Sequence, residues 1–92
     1  MSETVRAHVF ISGRVQRVFY RAGTREAARR QDVDGWVKNR PDGGVEAVFE
    51  GPSDAVDAMV EWCHTGSDRA AVEDVSVSWE EPVGLESFEI RR

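Results

Sequence analysis

"GWVKNRPDGGVEAVFE", Gly35 to Glu50, is the stretch that decides the architecture. Two short β-rich runs, Gly35–Asn39 and Val45–Glu50, flank Pro41-Asp42-Gly43-Gly44, a cluster of turn formers, so the segment reads as a β-hairpin. Upstream, Thr24–Gln31 reads as a helix with Arg29 and Arg30 in its last turn, where cations suit the dipole. Before it, Val5–Ser12 alternates as a strand, with Ala7, Val9 and Ile11 on one face and His8, Phe10 and Ser12 on the other. Downstream, Gly51-Pro52-Ser53 ends the hairpin and is expected to cap a second helix. Ala55, Val56, Met59, Val60 and Cys63 form its apolar stripe, and Gly66 stops it. Val75, Val77 and Trp79 alternate in a further strand that Glu80-Glu81-Pro82 breaks. Phe88 and Ile90 mark a short last one.

The element order is therefore β-α-β-β-α-β plus a short C-terminal strand. A hairpin joining two βαβ halves specifies an α+β, ferredoxin-like split βαβ sandwich, expected as an antiparallel sheet with two helices on one face. In such a unit the first two strands run parallel, so the loop after Ser12 and the strand end at Asn39 converge on one sheet edge. A cleft between strand ends and a helix start is a common ligand site.

Ninety-two residues form one small domain, residues 1–92. Apolar content of 40% and charged content of 32% fit a globular chain, and no run is long enough for a membrane span. The first residues, Met1-Ser2-Glu3-Thr4, lack the basic-then-apolar pattern of a secretory leader. Cys63 is the single cysteine, which excludes an internal disulfide and makes a cytoplasmic location the expectation. A net charge of −5 argues against a nucleic-acid footprint. No nucleic acid, membrane, cofactor or metal is expected, since His8 and His64 lie far apart and no Cys/His cluster has ligand spacing. A monomer is expected.

Three stretches carry candidate chemistry. In "GRVQRVFYR", Gly13 to Arg21, a glycine precedes a loop that runs toward a helix. Such a loop presents unpaired backbone N–H groups, and an arginine entering the helix adds a two-pronged grip on phosphate or carboxylate. Solvated arginines are an equally good reading from spacing alone. Cys63 and Arg69 have the Cys-x5-Arg spacing of cysteine-dependent phosphatases. That chemistry needs the thiol facing a helix N-terminus, whereas Cys63 falls on the apolar stripe at a helix end, so core packing is preferred. Asn39 continues the core-facing row of Val37; it either orients a water at the strand exit or simply caps the turn before Arg40-Pro41. Trp36, Trp62 and Trp79, with Phe10, Phe49 and Phe88, read as core or sheet-surface aromatics, and the two histidines receive no role.

Taken together and in order, these stretches resemble acylphosphatase. Gly13-Arg14-Val15-Gln16-Arg17-Val18-Phe19-Tyr20-Arg21 stands in place of the family's first signature, and Gly35-Trp36-Val37-Lys38-Asn39 with Gly43-Gly44-Val45-Glu46 in place of its second. Gly51-Pro52, Trp62-Cys63-His64, Gly66 and Glu80-Glu81-Pro82 extend the likeness over nearly the whole chain. The resemblance implies metal-independent hydrolysis of a small-molecule acyl phosphate to a carboxylate and inorganic phosphate. It implies that Arg21 binds the phosphate together with backbone N–H groups of Val15, Gln16, Arg17, Val18, Phe19 and Tyr20, and that Asn39 holds the attacking water. Arg17 stands where the family usually has glycine, Ser67 where proline is frequent, and Arg91-Arg92 follow Ile90 where many relatives end in tyrosine. The alternative is a non-catalytic anion- or RNA-binding module of the same fold.

Overall fold

The computed structural model describes residues 3–92; the leader-like pattern sought at the N-terminus falls partly on Met1 and Ser2, outside the described residues. The elements are β1 (Thr4–Arg14), α1 (Tyr20–Gln31), β2 (Asp34–Asn39), β3 (Val45–Pro52), α2 (Ser53–Thr65), β4 (Ala71–Glu80) and β5 (Phe88–Arg91). They form one five-stranded sheet in the order β4-β1-β3-β2-β5. β3 pairs antiparallel with β1 on one side and β2 on the other, so β1 and β2 run parallel, as the split βαβ order requires.

Alternation along the strands separates two faces. Ala7, Val9, Ile11, Val37, Val45, Ala47 and Phe49 are buried beneath the helices. Helix α2 adds Val56, Met59 and Cys63 to this core, and α1 adds Tyr20, Thr24 and Ala28. Full burial of a side chain such as Phe49 or Met59 contributes about 2 kcal/mol. α1 lies over β2 and β5, and α2 over β1, β3 and β4. The opposite face carries a mesh of charge: Arg6 pairs with Glu50 and Glu80, and His8 bridges Glu46 and Glu80. His8 stacks on Phe10 with ring centroids 4.8 Å apart, and Lys38 and Arg91 sit over the Trp36 ring.

Several boundaries depart from the sequence-based expectation, each for a local reason. α1 begins at Tyr20, one turn before Thr24, and its N-terminus has no side-chain cap; Phe19, in the left-handed region, makes the turn instead. α2 follows β3 with no linker, and Ser53 makes no side-chain cap, so the predicted cap is absent. β1 runs on to Arg14 because a register shift between Ser12 and Gly13 lets it keep pairing with β4, which starts at Ala71. The sheet is mixed rather than wholly antiparallel, because β5 pairs parallel with β2. The direction follows from the route: β4 ends beside the starts of β1 and β2, and a short loop crosses that same edge before β5 turns upward. Trp79, expected among core or sheet-surface aromatics, is 57% exposed on the edge strand.

That crossing loop is held by one carboxylate. Glu50 is only 3% exposed and accepts the N–H groups of Val83, Gly84 and Leu85 at 2.9, 3.1 and 3.0 Å, plus Arg6 Nη1 at 2.7 Å. Burial alone would push its carboxyl up, but the three N–H groups and the Arg6 guanidinium outweigh that and hold it below the ordinary glutamate value. A depressed carboxyl stabilises the fold above its unfolded pKa, and that contribution is lost as pH falls through the folded value. Glu50→Gln is expected to cost about 3 kcal/mol at neutral pH. Denaturant melts of both proteins should converge as the pH drops below about 4; a pH-independent gap would show that the charge is not what holds the loop.

Candidate functional site

The site begins where β1 leaves the sheet. Gly13 has φ 117°, and a Cβ there would meet the carbonyl oxygen of Ala71 at 2.3 Å, so only glycine lets the two backbones pass. The loop from Val15 to Phe19 follows. Val15 and Val18 turn inward and are buried, whereas Arg17 and Phe19 are exposed. Arg17 and Phe19 both lie in the left-handed region, at φ 62° and 63°. A left-handed residue on each side of Val18 folds the backbone into a concave turn of the kind that gathers successive N–H groups around an anion. Among the described residues, no protein acceptor takes the N–H groups of Gln16 to Phe19, nor those of Tyr20 to Ala22 in the first helical turn.

Side chains tether the outside of this loop. Gln16 Nε2 donates to the carbonyls of Arg40 and Gly44 at 2.7 and 2.9 Å, clamping the loop to the β2–β3 hairpin. Ser67 Oγ donates to the carbonyl of Val18 at 2.6 Å. The Tyr20 hydroxyl donates to the carbonyl of Cys63 at 2.8 Å, and its ring packs on Trp62 with centroids 5.3 Å apart. Burial pushes that hydroxyl well above the ordinary tyrosine value, so it stays protonated and keeps donating. Gly66, at φ 70°, leaves room for the same ring, since a Cβ would lie 2.5 Å from it.

Inside the loop is a cavity of about 280 Å³. Val15, Arg17, Phe19, Tyr20, Arg21 and Ala22 line it from the loop and helix start, Asn39 from the end of β2, and Ile90 from β5. Among the described residues its wall holds two guanidinium groups and no carboxylate. Arg21 is half-buried and makes no ion pair among the described residues. Asn39 Oδ1 is buried and meets no donor; it is the one such side-chain atom found among the described residues. Two larger hollows, of about 540 Å³ each, open nearby. The one above the β1–β4 edge is lined by Asp42, Glu73 and Asp74 and by Arg40, which is already paired with Asp42 and Glu46, so the charge left uncompensated there is negative and repels an anion. Size therefore does not decide the site; the donors do.

Of the sequence-derived residues, Val15, Arg17, Phe19, Tyr20, Arg21 and Asn39 meet in the cavity, while Gln16 and Val18 line the adjoining hollow with Arg14, Arg17 and Arg69. Cys63 is fully buried and burial pushes its thiol up to about 12, which leaves almost no thiolate at neutral pH for a nucleophilic role. His8 lies on the far sheet face, and His64 is exposed at the end of α2. Among the described residues no three His, Cys, Asp or Glu side chains stand together as a metal-holding group. Sequence reading missed the Gln16 clamp, the left-handed Phe19 and the Ile90 wall.

A split βαβ sandwich with a donor-rich loop set against a strand-end amide is an arrangement suited to holding a small anion, and similarity to known proteins narrows its class. The acylphosphatase family model matches residues 7–90. Curated acylphosphatases of Natronomonas pharaonis and Haloquadratum walsbyi are 61% and 67% identical to the chain, each over the full length of both proteins. The crystal structure of acylphosphatase from Bacillus subtilis superposes with a TM-score of 0.92 at 36% identity, covering 96% of this chain and 99% of that one. The chain belongs to the acylphosphatase family.

Left-handed backbone at a β-carbon-bearing residue costs about 1 kcal/mol. Arg17→Gly is therefore expected to raise thermal stability by a few degrees in a melting experiment. A fall in Tm would show that the Arg17 side chain, not its backbone, matters more to the fold.

Proposed function

We propose that Arg21, the loop N–H groups and Asn39 carry out the acyl phosphate hydrolysis that belongs to this family, in the cavity they line. The single observation that carries the reading is the buried, unpartnered Oδ1 of Asn39 sharing that cavity with an unpaired guanidinium and with Arg17, Phe19 and Tyr20, whose N–H groups no protein acceptor takes among the described residues. The phosphoryl oxygens sit against Arg21 and the N–H groups of Val15 to Tyr20, which supply the main electrostatic stabilisation as charge shifts during transfer. Asn39 Oδ1 accepts a hydrogen bond from a water and aims its oxygen at phosphorus. A neutral amide does this without repelling the dianion, which an aspartate at the same place would.

The bond between phosphorus and the bridging oxygen breaks, and the electron pair leaves with the carboxylate. A carboxylate is a weak base, so little is gained from a general acid, and the cavity wall offers none. The proton released by the water passes to a phosphate oxygen. The same reading takes the chain as one domain acting as a monomer in the cytoplasm, without a nucleic-acid partner. The single buried cysteine supports the location, and the net charge of −5 the absence of a nucleic-acid partner.

Hydrolysis of benzoyl phosphate in excess chelator tests the activity and its independence of metal together. Arg21→Ala should lose both turnover and inhibition by inorganic phosphate. Asn39→Ala should lose about 10²-fold or more in kcat while phosphate still inhibits. Full activity in Asn39→Ala would end the water-holding role.

A further inference from the structure

The cradle does not open onto neutral surface. Arg14, Arg17 and Arg69 line one hollow of about 540 Å³ together with Gln16 and Val18 of the loop, and Arg17 also lines the reaction cavity, so the hollow continues from the mouth of the cradle. None of the three arginines makes an ion pair among the described residues. On the open sheet face, by contrast, Arg6, Lys38 and Arg40 are all paired with carboxylates. In a chain of net charge −5, three uncompensated guanidinium groups around one hollow make a localised positive field. Guanidinium forks hold carboxylate and phosphate oxygens in two-pronged geometry.

The geometry points to an accessory anion subsite: Arg14, Arg17 and Arg69 receive a second anionic group, a carboxylate or phosphate, carried on the acyl portion of the substrate. The favoured substrates are then acyl phosphates that are charged at both ends. The inference rests on the acylphosphatase reading of the adjoining cavity. With the transferring phosphoryl group held in the cradle, the acyl portion leaves by the mouth where Arg17 stands. An uncharged acyl group gains nothing from the three arginines, whereas an anionic one reaches guanidinium groups that no carboxylate among the described residues pairs with. Arg14 and Arg69 are exposed and lie outside the reaction cavity, so they bear on selectivity and not on the bond-breaking step.

The test compares benzoyl phosphate with two rigid derivatives, 4-carboxybenzoyl phosphate and 4-(phosphonomethyl)benzoyl phosphate, in the unmodified protein and in Arg14→Gln/Arg69→Gln. The double variant should lose about fivefold or more in kcat/KM for the charged probes at low salt, and stay within about twofold on benzoyl phosphate. The preference of the unmodified protein for charged probes should shrink as salt is raised. The two charged probes show whether carboxylate or phosphonate is the better fit. An equal fall on all three substrates would reduce the arginines to a general steering field and overturn the subsite, as would no change on any. If the unmodified protein left benzoyl phosphate intact, the catalytic reading would fail first and the subsite with it.

Discussion

Val45 pairs with Ile11 on one side and with Asn39 on the other. That shared register is the constraint on which the site depends. Because both neighbours run antiparallel to β3, the end of β1 and the end of β2 stand level on the same edge of the sheet. The chain leaving β1 therefore turns into its loop beside Asn39. A slip of one residue in the β2–β3 pairing would turn Asn39 to the opposite face, and one in the β1–β3 pairing would turn over β1 and displace the loop that follows it; either separates amide from loop. Val45 is fully buried, and so are Ala47 and Phe49 on the same face, so the register is fixed by core packing as well as by the ladder.

The loop itself adopts a conformation that two of its residues disfavour. Arg17 and Phe19 occupy left-handed backbone, together about 2 kcal/mol above what glycine would need. Such backbone persists only where the surroundings determine it, and here they do so from three directions. Gln16 fastens the loop to the hairpin, Ser67 to the segment after α2, and Tyr20 to the end of α2. Each tether uses a side chain or a carbonyl, so the N–H groups remain free. The departure at residue 67 is thus compensated locally: a serine hydroxyl contributes a bond that a proline has no donor to make.

Much of this was legible in the sequence, for physical reasons. Ala7, Val9 and Ile11 alternate because one sheet face is buried, and the stripe from Val56 to Cys63 follows from a helix lying on that face. The turn residues Asp42 and Gly43 announced the hairpin, and Asp42 Oδ1 indeed accepts the Gly44 N–H. The start of α1 was not legible, since no side chain caps it and the left-handed Phe19 leaves no compositional trace. Nor does periodicity reveal strand direction, so the parallel pairing of β5 emerged only from the route of the chain. Within the site, the motif residues Arg21 and Asn39 were named from sequence. The orphaned oxygen of Asn39 and the outward reach of Gln16 depend on neighbours distant in the chain.

The placement of Ile90 in the cavity wall has a consequence for biosynthesis. The loop from Val15 to Phe19 follows the first strand of the sheet, yet one wall of its cavity comes from β5, which emerges from a ribosome after the other four strands. Until that strand docks beside β2, the loop can be shaped but its cavity stays open on one side. The proposed anion site would therefore stay incomplete in a nascent chain until β5 has emerged and docked, so that loop and sheet become a single competent cavity in one step.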